Sequence, residues 1–171
     1  MVDYESPNFN KETGRFEHRS GDKNNKSFGD LFGWGIDYFT RENDEAENNG
    51  FPVVRSSKEQ LKHFNENVIW VGHASILINH LNVTILTDPQ FSNRASPFSF
   101  LGPKRVTPVP FSISDLPTID VVVISHNHYD HLDEKSIRDI AQRQPQIKFL
   151  VPLGLKKLML SWGAQDVTEL D

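Results

Sequence analysis

The residues best suited to chemistry lie in one short stretch, SHNHYDHLD, which follows the apolar run IDVVVIS. In an extended backbone, residues two apart point to the same side, so His126 and His128 can bind one metal ion. Asp130 and His131 follow at a turn, where they can reach a second ion nearby. Imidazole and carboxylate ligands suit divalent metals, and zinc is the leading candidate. The alternative is a chance cluster of polar loop residues, but burying several histidines beside an apolar strand without a shared partner is costly.

The segments around this stretch predict an α/β fold. Three short β-branched runs separated by brief turns are typical of an antiparallel meander. Beyond them, buried strands alternate with helices, and the histidine-rich stretch falls where a strand ends and a helix begins. Open α/β sheets place their ligand sites at such points. The predicted elements are a helix at 57–65, strands at 68–72, 75–80, 83–88 and 119–125, a helix at 134–143 capped by Asp133, a strand at 148–152, a helix at 154–162 and a strand at 166–170.

Two regions lack this pattern. Residues 1–50 form a polar lead without clear periodicity, interrupted by an aromatic segment at 28–39. That segment is interpreted as a helix packed on the main domain or, alternatively, as a lipid-facing patch. Residues 89–117 contain six prolines, too many for regular structure, and a loop of this length is usually functional.

Composition excludes several protein classes. The 171-residue chain has no cysteine, so disulfides are absent and any metal must be held by histidines and carboxylates. A net charge of −5 argues against nucleic acid as a partner. The N-terminus lacks the pattern of a signal peptide and no apolar run is long enough to cross a bilayer, which predicts a cytoplasmic protein, with peripheral membrane contact as an option.

The same histidine-rich stretch also carries a family resemblance. Together with WVGHASILI, LTDPQFSNRASP, GPKR and VPLGL, in this order, it resembles the phospholipase D family that hydrolyses N-acylphosphatidylethanolamine, within the metallo-β-lactamase superfamily. The similarity covers residues 64–171. It implies that residues 51–171 are the N-terminal half of a metallo-β-lactamase-like αβ/βα sandwich.

The resemblance also implies roles for individual residues. His126 and His128 would bind the first metal, and Asp130 and His131 the second, so that the latter two act catalytically by holding the ion that supplies the nucleophilic hydroxide. Tyr129 would lie at the substrate mouth. The implied cofactors are two divalent ions, most plausibly zinc, and the implied reaction yields phosphatidic acid and an N-acylethanolamine from a phospholipid.

The resemblance further implies three ligands that would lie beyond residue 171. We therefore expect the chain alone to bind metal weakly, to be inactive, and to self-associate through an exposed apolar sheet face. Two alternatives remain open. One is another hydrolase of the same fold, such as a lactonase or a soluble phosphodiesterase, and the other is an inactive metal-binding fragment.

Other polar residues have two interpretations each. Asp88 is either a turn former before a proline or an acceptor that orients a ligand histidine, and the resemblance favours the second. His73 either lines the cavity or is a structural histidine, which we favour. Arg94, Lys104 and Arg105 either bind a phosphate group or are solvated loop residues.

Overall fold

A computed structural model describes residues 6–16, 53–63, 65–98 and 100–171. The chain divides into two compact units, Met1–Asn49 and Gly50–Asp171. The aromatic segment at 28–39 lies outside the described residues, so its two interpretations stay predictions. None of the helices in the described ranges is both long enough and apolar enough to cross a membrane.

The described part of the first unit is a short hairpin. Strands β1 (Phe9–Asn10) and β2 (Arg15–Phe16) pair antiparallel, with the rings of Phe9 and Phe16 5.1 Å apart. The Asn10 side chain accepts hydrogen bonds from the backbone N–H groups of Glu12 and Thr13 at 2.9 and 3.1 Å. This asparagine-centred turn gives regular structure to a segment where the sequence predicted none.

The second unit is built on a six-stranded sheet in the order β3-β4-β5-β6-β7-β8. The first three strands are antiparallel, as the predicted meander requires, and the remaining strands are parallel to β5. Every predicted strand is present, although β6 is shorter than its apolar run. The strands are β3 (Asn67–Gly72), β4 (Ser75–His80), β5 (Val83–Thr87), β6 (Val121–Val123), β7 (Lys148–Pro152) and β8 (Asp166–Leu170).

Within the described residues, three helices accompany the sheet. Helix α1 (Lys58–Lys62) starts with a capping box, in which Ser57 and Gln60 bond each other's backbone, but it ends earlier than predicted. Helix α2 (Glu134–Arg143) has the predicted bounds. Helix α3 (Lys156–Ser161) stops before Gly163, whose φ of +101° ends it.

Alternation along the strands separates two sheet faces. One face carries Leu77, Leu86, Val122 and Phe149, which are at most 1% exposed and belong to one core cluster with residues of α2 and α3. Side chains of the opposite face are aliphatic but only half-buried, as at Ile78. This arrangement confirms the α/β prediction and matches the first half of an αβ/βα sandwich.

The long loop between β5 and β6 is ordered by its own cations. An isolated antiparallel β-bridge pairs the backbones of Arg94 and Lys104. The Arg94 guanidinium donates to the Gly102 carbonyl at 2.6 Å. The Arg105 guanidinium donates to the backbone and side-chain oxygens of Gln90. The structure therefore uses two of the three loop cations to close the loop, which favours a structural role over phosphate binding. One 3-10 turn, Ile113–Asp115, is the regular element within the loop.

Candidate metal centre

Strand direction brings the functional residues to one edge of the sheet. Strands β3, β5 and β6 run the same way, because β4 is antiparallel to both β3 and β5 and β6 is parallel to β5. Their carboxyl ends therefore meet at the same edge. His73 follows β3, Asp88 follows β5, and the histidine-rich stretch follows β6.

Asp88 is the buried acceptor at the centre of this cluster. Its side chain is 8% exposed and accepts hydrogen bonds from the Ser125 N–H at 2.7 Å and the Ser125 hydroxyl at 2.8 Å. The remaining close contact, 2.9 Å, joins its Oδ2 to Nδ1 of His131. A carboxylate can only accept, so His131 donates through Nδ1 and keeps a lone pair on Nε2. Asp88 is thus placed as an orienting acceptor, and its φ of 38° shows that it also forms the turn.

The orientation of His126 follows from the same assignment of hydrogen-bond donors and acceptors. Because the Ser125 hydroxyl donates its one proton to Asp88, Ser125 Oγ accepts from Nδ1 of His126 at 2.9 Å. His126 then keeps a lone pair on Nε2. This atom lies 3.1 Å from Nδ1 of His128. The structure therefore brings His126 and His128 together as one pair of nitrogen donors, in the arrangement the sequence predicted.

A second group of donors lies beside this pair. Nε2 of His73 is 2.9 Å from Oδ2 of Asp130 and 3.3 Å from Nε2 of His131, and the last two atoms are 3.5 Å apart. Ligand atoms of His73, Asp130 and His131 all lie within 4.8 Å of one another. The rings of His126 and His131 have centroids 4.0 Å apart, so the two groups are in contact.

The electrostatics favour the metal-binding protonation states of His126 and Asp130. Burial lowers the pKa of His126, and the neighbouring His131 and His128 lower it further, so the neutral imidazole is favoured. For Asp130, burial acts to raise the pKa, but its own backbone N–H, His131 and His73 outweigh it and the pKa is lowered. Neutral histidines and an ionised carboxylate are the forms that bind metal.

The arrangement of nitrogen and oxygen ligand atoms fits a divalent metal. The nitrogen and oxygen atoms form two neighbouring groups, and hydrogen bonds orient two of the rings: the buried Asp88 orients His131, and Ser125 orients His126. His126 and His128 could hold one ion, and Asp130 and His131 another. The sequence predicted these four residues, and the structure brings all four together.

Tyr129 lies apart from the donors. Its side chain is 52% exposed and lines a cavity of about 890 Å³ together with Phe91, Phe98 and Trp162. The other wall residues include Asn127, Leu132 and the start of α2, but none of the predicted metal ligands. The cavity therefore adjoins the ligand-bearing segment without containing the donor atoms.

Two further residues belong to the cluster, and neither was predicted from the sequence to be a ligand or an orienting partner. His73 was interpreted as a structural histidine, and Ser125 was given no role. A signal was available for both, because the meander already predicted that His73 and the stretch after β6 would lie at the same sheet edge. Asp133, predicted as the cap of α2, occupies that position, but its carboxylate bonds the Ser92 N–H and the Ser136 hydroxyl.

Comparison with known proteins is consistent with this geometry. Residues 83–170 match the sequence model of the β-lactamase superfamily domain. The chain is 48% identical over 107 residues to N-acyl-phosphatidylethanolamine-hydrolyzing phospholipase D 1 of Caenorhabditis elegans, covering 60% of this chain and 30% of that protein. It is 38% identical over 101 residues to the mitochondrial N-acyl-phosphatidylethanolamine-hydrolyzing phospholipase D of Saccharomyces cerevisiae, covering 59% of this chain and 21% of that protein.

A solved structure is also similar. A possible metal-dependent hydrolase from Veillonella parvula has 26% identity and a TM-score of 0.47, covering 56% of this chain and 38% of that one. The chain thus spans less than a third of the length of the two phospholipases it matches. The predicted resemblance to the N-terminal half of this family is confirmed.

Proposed function

The chain belongs to the β-lactamase superfamily, and on this premise we propose that it carries the N-terminal metal ligands of a two-metal hydrolase. The substrate is a phosphodiester, N-acylphosphatidylethanolamine, and the products are phosphatidic acid and an N-acylethanolamine. The observation that carries the proposal is the cluster at the sheet edge, where Asp88 and Ser125 aim His131 and His126 into a common space.

Each residue has a defined role in this proposal. His126 and His128 hold one ion, and Asp130 and His131 hold the other. Two divalent ions, which we propose to be zinc, would supply an activated water at neutral pH and neutralise charge on the phosphoryl oxygens. Asp88 fixes the ring of His131 by accepting its Nδ1 proton, and this keeps Nε2 free to bind.

The cavity beside the ligand segment supports a lipid substrate. Its walls combine aromatic rings, such as Phe91 and Trp162, with polar groups, and its volume of about 890 Å³ lies within the range of small-molecule sites. Tyr129 stands at this wall and we propose that it contacts the substrate, as predicted. An acyl chain is the part of the substrate that suits the aromatic lining.

Peripheral membrane contact is a further part of the proposal. The ordered loop presents Phe98, Phe100 and Leu101, which are 53%, 76% and 42% exposed. The rings of Phe98 and Phe100 are 5.7 Å apart, so they form one apolar tip. Exposed aromatic residues of this kind suit the boundary between headgroups and acyl chains. A lipid surface is where the proposed substrate is found.

The test uses a chimera, because we propose that the 171-residue chain alone is inactive. The 107 aligned residues of this chain replace the matching segment of the C. elegans protein. Vesicles containing N-acylphosphatidylethanolamine are the substrate, and released N-acylethanolamine is measured by mass spectrometry. We expect release by the chimera, and a loss of at least about 1,000-fold together with loss of bound metal when His126→Ala is introduced.

Other outcomes would redirect the proposal. Hydrolysis of a soluble phosphodiester or a lactone, without release from vesicles, would favour the alternative hydrolases of the same fold. Stoichiometric turnover of the vesicle substrate by the 171-residue chain itself would contradict its proposed inactivity. Unchanged metal content in the His126→Ala chimera would refute the ligand assignment. Self-association is checked separately by light scattering of the chain alone.

A further inference from the structure

We propose that His73, which the ligand set above does not include, is a third protein ligand of the ion held by Asp130 and His131. This inference rests on the proposed two-metal function, but it concerns a residue outside the histidine-rich stretch. Its consequence is that one of the two metal sites already has three protein ligands within residues 73–131.

The three ligand atoms form a compact triangle. Its sides are 2.9 Å from His73 Nε2 to Asp130 Oδ2, 3.3 Å from His73 Nε2 to His131 Nε2, and 3.5 Å from Asp130 Oδ2 to His131 Nε2. Nitrogen and oxygen ligands lie about 2.0–2.2 Å from zinc, so two corners of a tetrahedron around it are about 3.3–3.6 Å apart. The triangle therefore has nearly the size of one face of a zinc coordination tetrahedron.

The Nε2 atoms of His73 and His131 lie close to each other. Nε2 of His131 carries a lone pair, because its Nδ1 proton is donated to Asp88. Without an ion, the Nε2–H of His73 can donate to Asp130 Oδ2 at 2.9 Å, but that hydrogen bond leaves the Nε2 lone pair of His131 without a partner of its own. One cation among the three atoms satisfies all of them, since each then directs a lone pair to the same point.

The backbone around His73 is held in an unusual conformation. His73 has a φ of 49°, a conformation uncommon for residues other than glycine, and Gly72 before it has a φ of 139°. The Trp70 indole N–H donates to the His73 carbonyl at 2.9 Å and holds this turn. A methyl group on Gly72 would come within 2.9 Å of the Arg105 guanidinium, which is itself bound to Gln90. Strained backbone that several neighbours hold in place is concentrated at ligand sites.

A control for exposure lies at the other end of the sheet. His80 also pairs with a carboxylate at 2.9 Å, that of Glu66, but among the described residues that pair does not belong to a group of three metal-ligating side chains. His73 is comparably exposed, at 54% against 68% for His80. Exposure and carboxylate contact are therefore shared, and convergence on a third donor is what sets His73 apart.

The experiment is a cobalt(II) titration of the metal-free 171-residue chain. Visible absorption reports the coordination of cobalt, and competition with a chelator gives the affinity. We expect binding that is weak overall, with the tighter of two ions held by His73, Asp130 and His131 and the weaker one at His126 and His128. His73→Gly and His73→Gln should each weaken the tighter ion by about 100-fold or more, because a direct ligand is lost.

The variants are chosen to separate ligation from positioning and from unfolding. Glycine suits the positive φ at this position, so His73→Gly removes the side chain without backbone strain. Glutamine keeps an N–H that can donate to Asp130 but is a poor zinc ligand. His126→Ala should retain the tighter ion, and His80→Ala is the matched control that should change nothing. Circular dichroism confirms that each variant is folded.

Two results would overturn the proposal. Binding of the tighter ion by His73→Gln at the wild-type level would show that His73 acts only by hydrogen bonding to Asp130. Loss of the tighter ion in His126→Ala, with retention in His73→Gly, would place that ion at the other pair. Both results are independent of the substrate, so a chimera that fails to release N-acylethanolamine would refute the phospholipase proposal and leave this titration unaffected.

Discussion

The two ends of the six-stranded sheet offer a comparison, because each has histidine beside carboxylate and residues at positive φ. At the site end, His131 and Asp88 are 18% and 8% exposed, and further donors surround them. At the far end, His80 and Glu66 are 68% and 53% exposed, and Glu66 also accepts the backbone N–H of Leu81 at 2.8 Å. The residue types are the same, but only the first group converges.

The functional residues converge at one end of the sheet because of strand direction and burial. The carboxyl ends of β3, β5 and β6 meet at the site end. The far end holds a tight turn between β4 and β5 and the start of β3. A buried acceptor orients imidazoles, because it cannot find water as a substitute partner. At the far end, water competes for every polar group. Variants at the two ends of the sheet test this contrast.

Removing the buried acceptor should have the largest effect. Asp88→Ala leaves three donors at Ser125 and His131 without their partner, and we expect a loss of about 3 kcal/mol in the free energy of unfolding of the metal-free protein. Urea denaturation measures it. Glu66→Ala at the far end is the control and should leave the midpoint nearly unchanged. Equal losses in both variants would contradict the contrast.

Distorting the turn that aims His73 should have the next largest effect. Gly72→Ala places a methyl group 2.9 Å from the Arg105 guanidinium and forces a φ of +139° on a residue with a side chain. We expect a loss of about 2 kcal/mol in the free energy of unfolding. Gly163→Ala is matched, because its φ is also positive at +101° and nothing lies within 4 Å. A loss no larger than that of Gly163→Ala would show that the close approach is unimportant.

Relieving strain at the far end should be beneficial. Leu81 and Asn82 have φ values of 49° and 61° in the turn between β4 and β5, and Leu81 is 72% exposed. Leu81→Asn introduces a residue that tolerates this conformation, and we expect a gain of about 0.5 kcal/mol in the free energy of unfolding. Thermal denaturation measures the gain, and metal affinity should be unchanged. A weaker ion in this variant would mean that the two ends are coupled.

The smallest effect is a pH dependence at Glu66. A hydrogen bond from His80, followed by one from the Leu81 N–H, lowers the pKa of Glu66 from its ordinary value of 4.5. A carboxyl whose pKa is lower in the folded state stabilises the protein above pH 4.5, and this contribution is lost as the pH falls through the lowered pKa. Glu66→Gln should therefore flatten the acid limb of the stability curve slightly. An unchanged slope would show that the pair contributes nothing in solution.

Much of the architecture could be predicted from sequence. Helix α2 and strands β4, β7 and β8 have the predicted bounds. Runs of β-branched residues specify the strands locally, and a polar residue followed by apolar residues at helical spacing specifies the helix. The segment that holds the predicted ligands His126, His128, Asp130 and His131 could also be identified, because the four residues lie in a stretch of six. Local information was sufficient for these features.

The remaining features depend on contacts between distant segments. His73 is 58 residues from His131, and its orientation depends on a positive φ that its residue type does not predict. The role of Ser125 depends on Asp88, which lies on another strand. The Arg94 and Arg105 side chains turn back to their own loop, a choice that the sequence left open against phosphate binding.

The indole of Trp70 makes the centre optically observable. It is 62% exposed and is fixed to the carbonyl of His73, so it is a natural fluorophore within a few bonds of the proposed ligand. A paramagnetic ion bound at His73 should quench its emission, whereas a diamagnetic one should shift it slightly. Trp70→Phe would identify the signal against those of Trp34 and Trp162. Metal entry could then be followed in real time, on the millisecond scale, without any substrate.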